Sequence, residues 1–275
     1  MLKLQQKGSR FSYSIWTNPV ARVLKLQGVQ SYLEMIRDTT EATRTAGESV
    51  LDYGSGDRPY EPMLRNQFAK YLSADYEPAK LKHTGRPDIY LDNEKTGLET
   101  ASIDCVIITE VLEHVYEPKK TLRELHRITR PDGFVVGSVP FAVGEHESPY
   151  DFHRYTSFCL TRMLEESGFE VVKLDYVGDM VGVALSVASR VAAVVPKTLE
   201  KVGLKFVGRP IHLLFRIPEL MYFALHRIGV RPARIKYFQN FPLGFTFLSR
   251  RIPDNEASTA ETPELLVDPP SHAKD

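Results

Sequence analysis

Short apolar runs alternate with longer mixed segments over much of the chain, beginning at residue 49. Five of these runs have the length and composition of β-strands and lie at 49–53, 70–75, 88–92, 103–109 and 133–139. Most of the intervening segments could hold a crossover helix, most clearly 118–129, where apolar side chains recur at helical spacing. Strands that alternate with helices predict a parallel sheet that is covered on both faces.

Further elements are predicted on both sides of this repeat. A helix is expected at 160–167, ended by Gly168, with Thr156 as a candidate N-cap and a strand following at 169–177. Upstream, residues 30–37 are compatible with a helix inside an N-terminal cap that spans 1–47.

The turn after the first predicted strand carries two alternate glycines, in the stretch Asp52-Tyr53-Gly54-Ser55-Gly56. Glycine lets the backbone approach a ligand closely, and a strand, a glycine turn and a helix in succession are typical of nucleotide-binding α/β domains. Pro59 would open that helix, since its missing N–H costs nothing in a first turn. The two common glycine patterns require a third glycine at Arg58 or Pro59, so the turn alone also fits a plain strand–helix connection.

Three of the predicted strands end in acidic residues, Asp52, Asp75 and Asp92. The carboxyl ends of parallel strands form the ligand crevice of an open α/β sheet. Asp75 lies 21 positions after Gly54, which suits a hydrogen bond to a ribose diol, and Asp92 could then meet an adenine amine. The alternative is that such acids only cap the helices that follow them.

At this point the sequence resembles a known family. Residues 50–140 are similar to the class I S-adenosylmethionine-dependent methyltransferases, in the type 11-like branch that acts on small molecules. The matching stretches are 50–56, 74–75, 91–92, 103–115 and 125–134, and Glu110-Val-Leu-Glu-His-Val115 is the most discriminating. Arg58 departs from the family pattern, which usually has glycine there. The resemblance implies a Rossmann-like, mostly parallel sheet of seven strands, with an antiparallel last strand at 240–251 after a helical insertion.

The resemblance also implies the cofactor, S-adenosylmethionine, and the residues that bind it. Gly54 and Gly56 would pass beneath it, and Asp52 would lie near its amino-acid end. Of the remaining cofactor residues, Asp75 would hold the ribose hydroxyls, Asp92 would lie near the adenine, and Glu110 would face the methionine moiety or the substrate. Tyr76 is also predicted to bind the cofactor. Methyl transfer requires mainly positioning and electrostatics from the protein.

Candidate acceptor-side residues follow the fourth and fifth predicted strands. His114 is the candidate general base, although it would equally suit simple packing at the start of the next helix. The loop 145–156 is rich in histidines, acids and aromatic rings, and we expect His153 as a second catalytic residue. The substrate contacts predicted there are His146, Tyr150, Arg154 and Tyr155. Four of its side chains could be metal ligands (His146, Glu147, Asp151, His153), but their spacing follows no zinc pattern, and no metal is predicted.

Residues 181–240 differ in charge from the rest of the chain. They contain ten basic residues against two acidic ones, a formal charge of +8, which leaves −8 for the remainder of a chain with zero net charge. Apolar side chains recur at helical spacing in 181–195 and 211–228. Basic amphipathic helices suit an anionic membrane surface, so 181–237 is predicted to be a membrane contact. A substrate lid or a homodimer interface is the open alternative.

Composition places the protein among ordinary globular proteins, with 43% apolar and 25% charged residues. Zero net charge argues against a nucleic-acid partner. Two cysteines cannot form a disulfide framework, and no signal peptide or membrane-spanning run is evident, so a cytoplasmic location is predicted, with peripheral attachment to the membrane as an extension. The predicted domains are 1–47 (cap), 48–180 (cofactor-binding core), 181–239 (insertion), 240–251 (final strand) and 252–275 (disordered tail).

The leading functional prediction is O-methylation of a small or lipid-linked acceptor of sugar, polyprenyl or quinone type. A nicotinamide-dependent oxidoreductase would share the glycine turn and Asp75, and is the first alternative. The second alternative is a catalytically inactive methyltransferase fold that acts as a scaffold at the membrane.

Overall fold

A computed structural model of the 275-residue chain describes three continuous segments, 49–77, 86–188 and 240–253. It also describes residues 29, 31, 33, 191, 214, 217, 218, 220–222, 224 and 225. The predictions for the rest of the N-terminal cap, for most of the insertion and for the C-terminal tail lie outside the described residues.

Seven strands form a single sheet in the order β3-β2-β1-β4-β5-β7-β6. Their bounds are β1 Ser49–Tyr53, β2 Lys70–Asp75, β3 Ile89–Tyr90, β4 Ile103–Thr109, β5 Thr129–Pro140, β6 Phe169–Val177 and β7 Gly244–Arg251. The pairings among β1 to β5 are parallel, whereas β7 runs antiparallel to both β5 and β6. This confirms the predicted Rossmann-like sheet with an antiparallel last strand.

Three connections contain a named helix in the part of the chain that the structure describes: α1 Glu61–Arg65 between β1 and β2, α2 Pro118–Ile128 between β4 and β5, and α3 Ser157–Glu165 between β5 and β6. The prediction that Pro59 opens the first of them is wrong, because α1 has Tyr60 as its N-cap and Pro62 in its first turn. Arg58 has a left-handed φ of 54°, which is incompatible with helix and delays the start of α1.

The predicted N-cap of α3 is confirmed. The Thr156 side chain accepts a hydrogen bond from the Cys159 N–H at 3.2 Å, so α3 begins at Ser157, three residues before the predicted start. The chain leaves the helix through Gly168, whose φ of 87° is costly for any residue with a Cβ.

Both faces of the sheet are buried, as the alternation of strands and helices predicts. On one face Leu51 packs in a cluster with Leu122 of α2 and Leu160 of α3. On the other face Val50 packs with Leu64 of α1, and the helical residues Val29 and Leu33 complete that cluster. The sheet core therefore requires both the crossover helices and the segment that precedes β1.

A buried carboxylate joins three strands near their amino ends. Asp104 accepts hydrogen bonds from the Ser49 N–H at 3.0 Å and from the Ser49 hydroxyl at 2.5 Å. The Arg130 guanidinium donates to its second oxygen at 2.7 Å. This network stabilises the edge of the sheet opposite the carboxyl ends, where ligands bind in open α/β sheets.

Part of the insertion is described and packs on the end of the sheet. Residues 180–188 are helical, and Val183 lies in a buried cluster with Tyr222 and with Leu243, just before β7. Among the described helices, none has both the length and the apolar character needed to cross a bilayer.

Candidate active site

The turn after β1, residues 54–58, is here called the glycine loop. The N–H groups of Gly54 and Ser55 both donate to the Ala74 carbonyl, at 2.8 and 3.1 Å, which ties the loop to the end of β2. Gly54 has a φ of 72°, and a Cβ added there would lie 2.3 Å from Cγ2 of Val111. Sterics and backbone conformation therefore both require glycine, and the loop presents bare backbone at the carboxyl end of β1.

Arg58 takes the place of the third glycine without changing the type of backbone conformation. Its φ is 54°, in the left-handed region that a glycine would adopt easily. Its N–H donates to the Ser55 carbonyl at 2.8 Å, and its guanidinium lies 3.7 Å from the Glu61 carboxylate. Arg58 thus differs from the family's glycine in residue type but adopts a backbone conformation open to glycine, and its contacts with Ser55 and Glu61 stabilise that conformation.

Asp75 is the last residue of β2 and holds the glycine loop through its side chain. One carboxylate oxygen accepts from the Gly56 N–H at 2.6 Å, and the other accepts from the Tyr76 N–H at 2.7 Å. The Asp75 carboxylate thus fixes the glycine loop to the end of β2.

Asp52 is the penultimate residue of β1, and its side chain bonds to a residue of the neighbouring strand β2. The Tyr71 hydroxyl donates to it at 3.0 Å, and the residue is 2% exposed. Burial raises the pKa of Asp52 to about 7, although the Tyr71 hydrogen bond opposes that rise. The carboxyl is therefore partly protonated at neutral pH, which the sequence did not indicate.

Asp92 does not end a strand, contrary to the prediction. β3 ends at Tyr90, and Asp92 is exposed in a turn in which its backbone pairs with Lys95 at 3.0 and 3.1 Å. The Tyr53 hydroxyl donates to the Glu94 carbonyl at 2.9 Å and ties this turn to the end of β1. The Tyr53 hydroxyl, rather than the Asp92 carboxylate, therefore holds this turn at the end of β1.

Glu110 directly follows β4 and is buried. Its φ is 55°, an uncommon conformation for a residue other than glycine and one that is found more often at functional sites. The Ser138 hydroxyl donates to its carboxylate at 2.9 Å, and its N–H donates to the Ser138 carbonyl at 2.9 Å. Glu110 is thus held against the end of β5, next to the cluster described below.

Two histidines and a glutamate meet beyond the carboxyl ends of β4 and β5. Glu113 and His114 belong to a 3-10 turn, Leu112–His114, and His146 comes from the loop 141–156, here called the β5–α3 loop. The Glu113 carboxylate oxygen Oε1 lies 3.7 Å from His114 Nε2 and 3.9 Å from His146 Nε2. The sequence predicted both histidines in separate roles and assigned none to Glu113, although an acid next to a histidine after a strand is a readable signal.

The two imidazoles are fixed by their other nitrogens. His114 Nδ1 lies 2.6 Å from the Tyr150 carbonyl, and His146 Nδ1 lies 3.2 Å from a carboxylate oxygen of Asp151. Burial lowers the pKa of His114, which favours its neutral form at neutral pH. The rings meet edge to face with centroids 4.8 Å apart.

Arg154, predicted as a substrate contact, directs its guanidinium into the β5–α3 loop instead. It forms two hydrogen bonds with Asp151, at 2.6 and 2.7 Å, and donates to the carbonyls of Val143, Gly144 and His153. Burial alone would raise the pKa of Asp151, but the hydrogen bonds from Arg154 and from the His146 N–H outweigh it, so this pKa is lowered. The geometry therefore gives Arg154 the task of holding the loop.

The other predicted residues of this loop differ in how far their side chains are buried. Tyr155 is buried, and its hydroxyl donates to the Leu112 carbonyl at 2.8 Å, so it supports the 3-10 turn rather than facing a substrate. His153 Nε2 lies 3.3 Å from the Tyr116 carbonyl. Of the four predicted substrate contacts, Tyr150 is the one with an exposed side chain, at 45%.

Comparison with known proteins agrees with this architecture. Residues 29–174, more than half of the chain, match the family model described as a methyltransferase domain. A probable S-adenosylmethionine-dependent methyltransferase of Mycolicibacterium smegmatis is 30% identical over 141 residues, which cover 47% of this chain and 55% of that protein. A second, from Mycobacterium tuberculosis H37Rv, is 24% identical over 139 residues, 46% of this chain and 51% of that protein.

The chain thus spans about half the length of the curated relatives that it matches. Among solved structures, an S-adenosylmethionine-dependent methyltransferase from Mesorhizobium loti aligns with a TM-score of 0.46 at 14% identity, over 75% of this chain and 92% of that one.

The family match does not favour the nicotinamide-dependent oxidoreductase, which shares only the glycine loop and the acid after β2. The family model covers the glycine loop, Asp75 and the Glu113 turn together, and the sheet has the strand order and the antiparallel last strand that the resemblance implied. The chain belongs to the methyltransferase-domain family.

Proposed function

We propose that the enzyme methylates a hydroxyl group of a small or lipid-linked acceptor, of sugar, polyprenyl or quinone type, beyond the carboxyl ends of β4 and β5. The observation that carries this proposal is the cluster of Glu113, His114 and His146. A hydroxyl is a poor nucleophile until it loses its proton, and a neutral imidazole in the site is suited to accept it.

The residues around the glycine loop fit the cofactor. Gly54 is fixed by its φ of 72° and by the close approach of Val111, and the loop that it begins lies at the carboxyl end of β1, where ligands bind in open α/β sheets. S-Adenosylmethionine supplies an electrophilic methyl group on a sulfonium. We assign Gly54, Gly56, Asp75 and Tyr76 to its binding, with Asp52, Asp92 and Glu110 in the roles that the family resemblance implies.

In the proposed reaction, His114 Nε2 accepts the proton of the acceptor hydroxyl. The oxygen electron pair forms the new O–C bond while the C–S bond breaks and its pair stays on sulfur, leaving a thioether. Burial lowers the pKa of His114, so its proton-accepting form is present at neutral pH. We assign Tyr150 and His153 to the wall that positions the acceptor, because both lie on the β5–α3 loop beside this cluster.

The experiment measures the rate at which S-adenosylhomocysteine, the thioether product, forms when sugars, polyprenols or quinols with a free hydroxyl are offered as acceptors. His114→Asn should lower kcat by roughly 10²–10⁴-fold, the usual contribution of a general base, while the Kd for S-adenosylmethionine in calorimetry stays unchanged. The kcat of the wild type should fall as the pH is lowered through the pKa of His114, because protonation removes the base. That pKa should lie below 6.5, the ordinary value for histidine. His126→Asn, on α2 and packed against Phe169, is the matched control. Full activity of His114→Asn would refute the base assignment.

The lipid-linked acceptor is supported by the insertion. Its described helical residues expose a series of apolar side chains: Val187, Val191, Leu214, Ile217, Leu220, Met221 and Leu225. The segment carries a formal charge of +8. Apolar and basic side chains on short helices favour binding to an anionic bilayer surface.

Vesicle co-sedimentation tests this part. Binding should be stronger to vesicles that contain phosphatidylglycerol than to phosphatidylcholine alone, and the double variant Leu220→Asp/Met221→Asp should weaken it. Val172→Asp, which alters an exposed apolar side chain on β6, is the control. If the double variant leaves vesicle binding unchanged but dissociates a dimer, the insertion is an oligomer contact instead.

A further inference from the structure

We propose that Glu113, His114 and His146 bind one divalent transition-metal ion, with Zn²⁺ or Mn²⁺ as the suitable class. The ion's role, stabilising the ionised acceptor oxygen, rests on the hydroxyl methylation in the proposed function, and it makes His114 Nε2 a metal ligand in place of a base. The metal site itself rests on the geometry of these three side chains.

The three donor atoms are close to metal-binding distances from one another. One ligand atom from each residue lies within 4.8 Å of the others, and the two distances to Glu113 Oε1 are 3.7 and 3.9 Å. Bonds of about 2.0–2.2 Å at tetrahedral angles place ligand atoms about 3.4 Å apart. The two distances to Glu113 exceed this value by a few tenths of an ångström, and the widest separation in the group, up to 4.8 Å, would have to shorten by up to about 1.4 Å for all three to bind one ion.

The hydrogen bond of His114 determines which of its nitrogens faces the cluster. Its Nδ1 lies 2.6 Å from the Tyr150 carbonyl, which can only accept, so Nδ1 carries the proton. The lone pair of the neutral ring is then on Nε2, the atom that lies nearest the Glu113 carboxylate. A metal-binding histidine usually has this arrangement, with its other N–H donated to a carbonyl or a carboxylate.

His146 is held in the same orientation. Its Nδ1 lies 3.2 Å from an Asp151 carboxylate oxygen and 3.3 Å from the Gly144 carbonyl, both of which accept. The Arg154 guanidinium, 3.4 Å away, is farther and is already bound to Asp151. The lone pair of His146 is therefore also on Nε2, directed toward Glu113, and Asp151 is the outer partner that fixes the ring.

The chemistry of this arrangement suits a cation. Two Nε2 atoms lie near the carboxylate of Glu113, a fully buried residue, and all three groups are metal ligands. Two neutral imidazoles and one carboxylate form a donor set that suits zinc and other first-row metals better than Mg²⁺ or Ca²⁺, which prefer oxygen. The His114 side chain is 22% exposed, which provides a path for the ion from solvent.

Three protein ligands leave at least one coordination position open, as in catalytic rather than structural zinc sites. An acceptor hydroxyl bound there would lose its proton more readily, as metal-bound water does near neutral pH. With His114 Nε2 engaged by the ion, that proton would pass to solvent rather than to the imidazole. The ionised oxygen would then attack the methyl carbon, with the same bond changes as before.

The test uses metal-stripped, untagged protein. Calorimetric titration with Zn²⁺, and visible absorption with Co²⁺ as a spectroscopic probe, should show one site per chain. Glu113→Gln and His146→Asn should each weaken that site by more than tenfold, because even loss of an outer partner costs roughly 10–100-fold. His126→Asn, a histidine outside the cluster, should bind like the wild type. Retained S-adenosylmethionine binding verifies that each variant is folded.

Wild-type binding no tighter than that of both cluster variants would overturn the metal site. If a hydroxyl acceptor is methylated at full rate in the presence of a chelator and no ion binds, the metal proposal fails and the proposed function stands. If one ion binds and both cluster variants lose it while hydroxyl acceptors are not methylated, the metal site stands and the proposed function fails.

Discussion

The glycine loop after β1 and the β5–α3 loop lie at the same edge of the sheet, yet different groups hold them in place. In the glycine loop, main-chain N–H groups bind the Ala74 carbonyl and the Asp75 carboxylate, both at the end of the neighbouring strand. In the β5–α3 loop, main-chain bonds such as that from the Phe152 N–H to the Glu113 carbonyl are joined by charged and polar side chains, through the Arg154–Asp151 pair and the His114 bond to the Tyr150 carbonyl, 36 residues away.

This difference determines what each loop tolerates. A loop held by its backbone requires particular backbone conformations, and hence glycine at Gly54. A loop held by side chains tolerates changes of conformation but requires complementary partners, as between Asp151 and Arg154. The following variants test that contrast, from the largest expected effect to the smallest.

Gly54→Ala should have the largest effect. The new Cβ would lie 2.3 Å from Cγ2 of Val111, and the residue would be forced into a left-handed conformation at φ 72°. Overpacking and the left-handed conformation together predict a loss of roughly 2–5 kcal/mol in stability, with loss of S-adenosylmethionine binding. Thermal unfolding and calorimetry would measure both.

Gly97→Ala is the control for the conformational part of that effect. Gly97 has nearly the same φ, 71°, but a Cβ there would have no neighbour within 4 Å. It should cost only about 1–2 kcal/mol and leave cofactor binding intact. Equal losses in the two variants would mean that contact with Val111 does not determine the glycine requirement.

Asp52→Asn should have the second-largest effect on stability, and it should stabilise the protein at neutral to alkaline pH. Burial raises the pKa of Asp52 to about 7, so the folded state holds a proton that the unfolded chain releases near 3.9. The wild type should therefore lose stability as pH rises from about 4 toward 7, by up to about 1.4 kcal/mol per pH unit.

Asp52→Asn should lack that slope, which unfolding at a series of pH values would show. If the variant has the same slope as the wild type, Asp52 is not the titrating group. Weaker S-adenosylmethionine binding by the variant would support the cofactor role assigned to Asp52.

Asp151→Asn should have the smallest effect of the three, a loss of about 1–2 kcal/mol at pH 7, because Arg154 is partly exposed and keeps its carbonyl partners. The lowered pKa of Asp151 means that its contribution is present above the ordinary value near 3.9 and is lost as pH falls through the folded pKa. The variant and the wild type should therefore converge at acid pH in thermal unfolding.

Glu166→Gln is the matched control for this charge pair. Glu166 pairs with Lys119 and Arg162 on the surface, where solvent screens the charges, so Tm should hardly change. A larger Tm loss in Glu166→Gln than in Asp151→Asn would contradict the view that the Asp151–Arg154 pair fixes the β5–α3 loop.

Much of the fold was predictable because its signals are local. The bounds of β2, β4 and β6 and the Thr156 cap follow from runs of apolar residues and from one hydroxyl at a helix start. Pro59 and Asp92 were wrongly placed, since each depends on turn geometry that residue type does not specify. At Arg58 a side chain occurs in a conformation that the sequence suggested would need glycine.

The candidate site also has features that the sequence predicts and features that only the tertiary structure sets. By itself the sequence determined the order of strands and helices, the glycine loop and the acid at the end of β2, because each depends on residues close together in the chain. Only the tertiary structure decided that Glu113, His114 and His146 meet, that Arg154 bonds within the β5–α3 loop, and that Tyr155 bonds to the neighbouring 3-10 turn. Those contacts join the ends of different strands, and the packing of the sheet, rather than any local spacing, sets the distances between them.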